Sequence, residues 1–420
     1  MINNNKAYFF QLLRHSLYYS ISKIVPGLTG LISVILFFKW MGAEEYGKYS
    51  IIFSFTNLIA AFSLGWLNQS ILRYRSTFNS SKKIISPIFL GFTLGIIIVV
   101  TFVIITSIFQ FPIIFSSKHI IFLAFSIGIF NILKFTFQSE ELPKKVILIT
   151  SIQSILIIIC SFLLLNYHKN NSESLILAVS FAYLIPIIPY INFFSSNFIS
   201  KKNINIIIPF FNYGFPISIW LGISLSLNFL DRFFIEYYFG TLLMGSYAGL
   251  SEFIIRIFSI VIFPITLAIH PIIMNKWNEN KNIHESLIAL LLAGLTQLAI
   301  CIIILIPLVL FKDSFFYFIQ SMIPELDASM KEIMIPIFIG GFLWQLALLL
   351  HKPLEIQERT WVMVGCILCS LIANITGNIL FLPKFGIIAT GYTMIISALI
   401  YIIFSVLFSN SFYNFKNNNN

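Results

Sequence analysis

From residue 17 to residue 408 the chain alternates between apolar runs of span length and short polar breaks. About 20 apolar residues in a helix cross the roughly 30 Å hydrocarbon core of a bilayer. In lipid, a helix is the continuous element that pairs its own backbone N–H and C=O groups. We count twelve runs, near 17–39, 48–71, 84–110, 118–138, 145–166, 173–196, 210–238, 243–273, 285–311, 332–351, 360–382 and 386–408. The fourth, eighth and tenth have the least defined ends, and a count of eleven to thirteen fits the pattern. Breaks such as "RYRSTFNSSKK", "SEELPKK" and "HKPLEIQER" are turn and interface material. Only 10% of the residues are charged and 58% are hydrophobic, against about 25% charged in soluble domains, which excludes a water-solvated fold. The expected fold class is all-α and polytopic, with about 12 transmembrane helices. The longest break, Lys312 to Lys331, is half apolar and is expected to lie along the membrane; no break is long enough for a soluble catalytic domain.

Basic residues set the orientation. With the N-terminus inside, fifteen Lys and Arg fall on cytoplasmic segments and seven on the opposite side, so both termini are expected in the cytoplasm. This asymmetry, with anionic lipid headgroups as partners, accounts for the formal charge of +10 without nucleic acid. The excess of Phe, Ile and Asn is that of an AT-rich genome, and single Phe or Asn residues are given little functional weight. Cys366 and Cys369 form a CxxC spacing inside an apolar run with no second pair; with Cys160 and Cys301 they are read as packing residues. His270 and His351, at span ends, are read as interface residues.

Two stretches match. "GAEEYGKYS" (Gly42 to Ser50) and "GTLLMGSYA" (Gly240 to Ala248) share Gly, four residues, Gly, one residue, Tyr, at an offset of 198. The shared positions are Gly42, Gly47 and Tyr49 in one copy and Gly240, Gly245 and Tyr247 in the other. Six spans separate them, an even number, so both copies insert the same way round. That pattern fits two six-helix bundles, 1–198 and 199–420, related by a parallel repeat about an axis along the membrane normal. Glycine at such a turn permits a tight hairpin and close backbone packing. Two similar but unrelated hairpins are the alternative.

Charges inside spans are costly, about 2.5–3.5 kcal/mol each on insertion scales, and mark candidate sites. Asp231 and Arg232 lie in the seventh run; Glu252 and Arg256 lie four apart on one face of the eighth. Arg232 and Arg256 are candidates for binding an anionic cargo, since a guanidinium fork suits phosphate oxygens. Asp231 and Glu252 are candidates for coupling to H⁺ or Na⁺. The competing reading is a neutralised cluster that fixes helix packing. Lys23 and Lys134 lie within reach of the cytoplasmic boundary, where lysine snorkels to headgroups, and are secondary candidates for cargo contact. Pro26, Pro216, Pro264 and Pro307 permit kinks.

The stretch "GAEEYGKYSIIFSFTNLIAAFSLGWLNQSILRY" resembles the second-helix region of polysaccharide-biosynthesis (O-antigen type) flippases of the multidrug/oligosaccharidyl-lipid/polysaccharide exporter superfamily. "YGFPISIWLGISLSLNFLDRFFIEYYFGTLLMGSYAGLSEF" is similar to the opening of their second half, with Asp231-Arg232 ahead of the Gly240 turn. "NILFLPKFGIIATGYTMIISALIY" resembles their penultimate turn. The resemblance touches both halves. It implies two bundles around a cavity open alternately to either side, and no enzymatic activity or bound cofactor. The implied cargo is an oligosaccharide on polyprenyl pyrophosphate, with a polysaccharide polymerase and chain-length machinery as partners and the bacterial inner membrane as location. Two rivals stand beside it: an O-antigen polymerase or ligase, and a multidrug and toxin extrusion cation antiporter.

Overall fold

The computed structural model describes residues 2–74, 81–108, 117–167, 171–191, 207–266, 269, 273 and 283–409. Among them every regular element is helical. A single helical run, Ile2–Tyr74, breaks at Gly42 into α1 (2–41) and α2 (43–74). Then come α3 (Ser81–Ile108), α4 (Ser117–Ser139), α5 (Pro143–Tyr167) and α6 (Ser172–Leu184), which tightens into a 3₁₀ turn at Ile185–Tyr190. The second part of the chain supplies α7 (Ile207–Phe239), α8 (Thr241–Val261), α9 (Ile283–Leu310), α10 (Lys312–Met322), α11 (Met330–Leu350), α12 (Thr360–Phe385) and α13 (Ile388–Phe408). Among the described residues eleven helices are long and apolar enough to span a membrane; the first, Ile24–Tyr74, runs 51 residues. An unbroken helix of that length would measure about 75 Å, more than twice a bilayer core. Broken at Gly42 it supplies two spans, which makes twelve among the described residues.

The repeated motif is a repeated backbone turn. Gly42 has φ 78°, ψ 174° and Gly240 has φ 85°, ψ 171°, a region that only glycine occupies without strain. Gly386, opening α13, has φ 70°, ψ −167° and is a third instance. The close packing expected of these glycines holds at the first only. A Cβ on Gly42 would sit 2.8 Å from a Glu325 carboxylate oxygen, whereas a Cβ on Gly240 would meet nothing within 4 Å. Gly240→Ala is therefore expected to cost the backbone strain alone, about 1–3 kcal/mol. Gly42→Ala adds displacement of Glu325, which accepts the Ala43 N–H at 3.0 Å. Thermal melting of the two purified variants checks this; equal shifts would mean that the Glu325 contact contributes nothing.

The helices form two compact units, Met1–Ala43 with Leu230–Asn420, and Glu44–Phe229. In the second unit, α2 and the early part of α7 close on small residues, as membrane helices do where lipid offers no hydrophobic drive. Gly65 lies against Ser218, Gly214 against the Trp66 carbonyl and Gly222 against the Phe62 ring. Ser218 Oγ donates to the Ala61 carbonyl at 2.7 Å, and Ser70 Oγ to the Phe210 carbonyl. Leu67, Ile71, Phe92, Ile132 and Phe210 fill the core beside this seam.

In the first unit, Gly249 of α8 meets the Phe38 ring of α1, and Gly391 of α13 meets Pro336 of α11. The half-apolar break is the helix α10, which buries Phe316 and Ile319 and leaves Phe315, Tyr317 and Phe318 exposed. Two ion pairs, Lys312–Glu332 and Lys331–Asp313, both at 2.7 Å, join its first residues to the first turn of α11. His351 stands at the end of α11, as a span-end residue does. It is 4% exposed, beside Glu355 and the Tyr401 ring, where the short helix Lys352–Ile356 follows α11. His270 lies outside the described residues.

Candidate functional site

α7 and α8 form an antiparallel hairpin about Gly240, which brings residues just before the turn beside residues just after it. Asp231 and Arg232 are consecutive, so on a helix they point about 100° apart and address different neighbours. Arg232 turns to α8: its Nη2 donates to Glu252 Oε1 at 2.7 Å. The other Glu252 oxygen lies 3.3 Å from Arg256 Nη2, the i,i+4 pair on the face of α8. One carboxylate thus joins two guanidiniums of unequal exposure. The Arg232 side chain is 2% accessible, whereas that of Arg256 is 35% accessible. Arg256 lies over Gly30 of α1, where a Cβ would come within 2.9 Å of its Nε.

Asp231, 1% exposed, has a different company. Its Oδ1 accepts from Asn378 Nδ2 at 2.9 Å and its Oδ2 from the Tyr247 hydroxyl at 3.1 Å. Asn378 also donates to Asn374 Oδ1 at 3.1 Å and accepts from Thr393 Oγ1 at 3.4 Å. Thr390 Oγ1 is buried with no partner among the described residues. An amide N–H and a hydroxyl O–H thus donate to the two carboxylate oxygens, hydrogen bonds strengthened by the charge of the acceptor. The two acids read together in the sequence are therefore distinct: Glu252 is held by two arginines, and Asp231 by neutral donors.

Sequence reasoning missed Asn374, Asn378 and Thr393, and it took Tyr247 for a turn residue. The hydroxyl of Tyr247 enters the site, while its counterpart Tyr49 stacks on Phe53 at 5.6 Å between ring centroids. Gly47 and Gly245 are both buried behind their turns. The side chain of Lys23, on α1, lies outside the described residues. Lys134 belongs to the other compact unit. Its Nζ donates to Asn131 Oδ1 at 2.9 Å and stands 4.8 Å from the Phe135 ring centroid, at an open-sided cavity of about 180 Å³.

Against known proteins, no curated sequence matches the chain. Similar solved structures do exist. One is described as lipid II flippase MurJ in an inward closed conformation, at TM-score 0.70 and 18% identity over 93% of this chain and 87% of that one. Another is an outward-facing multidrug resistance MATE family transporter of the MOP superfamily, at TM-score 0.64 and 17% identity over 95% of this chain and 96% of that one. A third is the eukaryotic MATE transporter AtDTX14, at TM-score 0.62 and 13% identity over 95% and 96%. The fold is the one these flippase and transporter structures share, and the chain is a multi-pass membrane protein. The family model for polysaccharide biosynthesis proteins matches residues 12–277, well over half of the sequence, and the chain belongs to that family.

Proposed function

We propose that this protein flips a polyprenyl-pyrophosphate-linked oligosaccharide across the bacterial inner membrane, from the cytoplasmic to the periplasmic leaflet, by alternating access. The observation that carries this reading is the membrane-embedded chain Arg232–Glu252–Arg256, with one guanidinium enclosed and the other 35% accessible. An accessible guanidinium at span depth offers a planar, permanently charged fork to phosphate oxygens. Glu252 and the enclosed Arg232 hold it in place. The lipid tail stays in the bilayer while the polar head crosses. Asp231, framed by Asn378 and Tyr247, is the group to which we assign the coupling H⁺ or Na⁺. Both termini then face the cytoplasm, the two six-helix halves divide near residue 198, and the product feeds polymerase and chain-length machinery for O-antigen or another surface polysaccharide. Membership in a polysaccharide-biosynthesis family supports this cargo over a drug-like cation.

Deleting the gene and running extracted lipopolysaccharide or capsule on a gel tests the proposal, with lipid-linked repeat units scored on each membrane face. The expected result is loss of surface polymer with single repeat units stranded on the cytoplasmic face. An intact glycan with altered dye sensitivity would favour the cation antiporter instead.

A further inference from the structure

The compact unit Glu44–Phe229 holds a polar surface separate from the arginine chain. Asn57, Asn68 and Gln69 of α2 and Asn131 and Lys134 of α4 line the cavity of about 180 Å³, and leucines of α7 close its apolar side. Residues 57, 61, 65 and 68 recur at helical spacing, so α2 presents one continuous face to the cavity. Its size is below the roughly 300–1,000 Å³ of sites for drug-sized ligands, and suits a single ring. Among the described residues no carboxylate lines it. A cation would find no counter-charge there. An amide offers donors and an acceptor within one side chain, the pattern needed by ligands whose hydroxyls both give and take hydrogen bonds.

Asn68 points to a ligand by itself. It is 8% exposed and its Oδ1 is buried with no donor reaching it among the described residues. A buried acceptor without a donor destabilises a folded protein, and such groups recur where a ligand supplies the missing partner. The apolar wall, with Leu64 and the Phe135 ring, supplies the surface on which the C–H face of a pyranose packs.

We infer that this cavity is a sugar subsite that takes one hydroxyl- or acetamido-bearing ring of the cargo's oligosaccharide, read by Asn57, Asn68, Gln69 and Asn131, with Lys134 holding the Asn131 amide in place. The inference rests on the flippase reading and adds to it a division of labour. The arginine chain meets the pyrophosphate common to all such carriers, and the amide cavity reads the sugar that differs between them.

The test uses the full chain in lipid nanodiscs with two probes: bare polyprenyl pyrophosphate, and the same carrier bearing the host's repeat unit. Wild type is expected to bind the glycosylated carrier at least about tenfold more tightly, the scale of one or two well-made hydrogen bonds. In Asn68→Leu and in Gln69→Leu that preference should fall to within about twofold, with affinity for the bare carrier unchanged. The melting temperature of Asn68→Leu should hold or rise, because a buried acceptor without a partner has been removed. A variant that keeps the preference overturns the subsite, as does equal loss of both probes. A fall in melting temperature of Asn68→Leu also overturns it, by marking a structural amide. Wild type binding both probes equally defeats the subsite alone, whereas wild type binding neither defeats the flippase reading with it.

Discussion

Arg232→Ala is expected to abolish surface polysaccharide and to destabilise the protein by about 3 kcal/mol, the lower end for breaking a buried ion pair, because Glu252 keeps Arg256 as a partner. Arg232 is 1% exposed and its hydrogen bond to Glu252 is short, at 2.7 Å. Arg256→Ala removes a more accessible guanidinium at a longer 3.3 Å contact, so its stability loss should stay near 1 kcal/mol. Its transport loss should match that of Arg232→Ala if both arginines serve the cargo. The paired change Arg232→Met with Glu252→Met separates packing from transport. Replacing a buried ion pair by apolar side chains of similar volume is commonly neutral or stabilising. The doubly substituted protein should therefore melt near wild type and still leave the cell without surface polymer. Normal polysaccharide in that strain, at normal expression, would reduce the cluster to a packing device and leave the fold untouched.

Gly214→Ala should be as damaging by a route that involves no charge. A Cβ at this position would lie 2.1 Å from the Trp66 carbonyl oxygen and 2.7 Å from its carbon, inside the second unit. A backbone carbonyl cannot rotate away as a side chain does, so α7 must separate from α2 by roughly an ångström in a close-packed interior. That movement also pulls apart the Ser218–Ala61 and Ser70–Phe210 hydrogen bonds. The combined loss should be about 3 kcal/mol or more, at the upper end for overpacking because hydrogen bonds are lost with it. Gly365→Ala is the internal control. Nothing lies within 4 Å of its Cβ position on α12, and alanine is favoured over glycine in a helix by about 0.5–1 kcal/mol. Thermal melting should show a sharp fall for Gly214→Ala and no loss for Gly365→Ala; equal midpoints would mean that α2 and α7 are not so closely apposed.

Much of this architecture was legible in the sequence, because spans are written in local hydropathy and a turn such as Gly42 or Gly240 in local spacing. The third turn, at Gly386, escaped the motif because its tyrosine follows Gly391 directly rather than one residue later. The i,i+4 relation of Glu252 and Arg256 was legible for the same local reason. Contacts across long sequence separations were not. Glu325 reaches Ala43 from 282 residues away, and Asn378 reaches Asp231 from 147. Asparagine was also discounted as a product of base composition, and that discount hid Asn378 and Asn68. Composition sets how often a residue occurs, while burial decides what one copy of it does. Tyr247 was read from its place in a repeat, yet the two tyrosines of the repeat hold different partners.

The first compact unit is discontinuous: its opening 43 residues are separated from the remainder by the 186 residues Glu44–Phe229. At translation speeds of about 5–20 residues per second, α1 therefore waits roughly 10–40 s in the membrane before the helices that cover it are made. Phe38 has no Gly249 to meet, and Gly30 no Arg256 to accommodate, until α8 emerges. Helix α1 is thus made early and packed late, and the completion of its packing is set by a part of the chain that follows it by nearly two hundred residues.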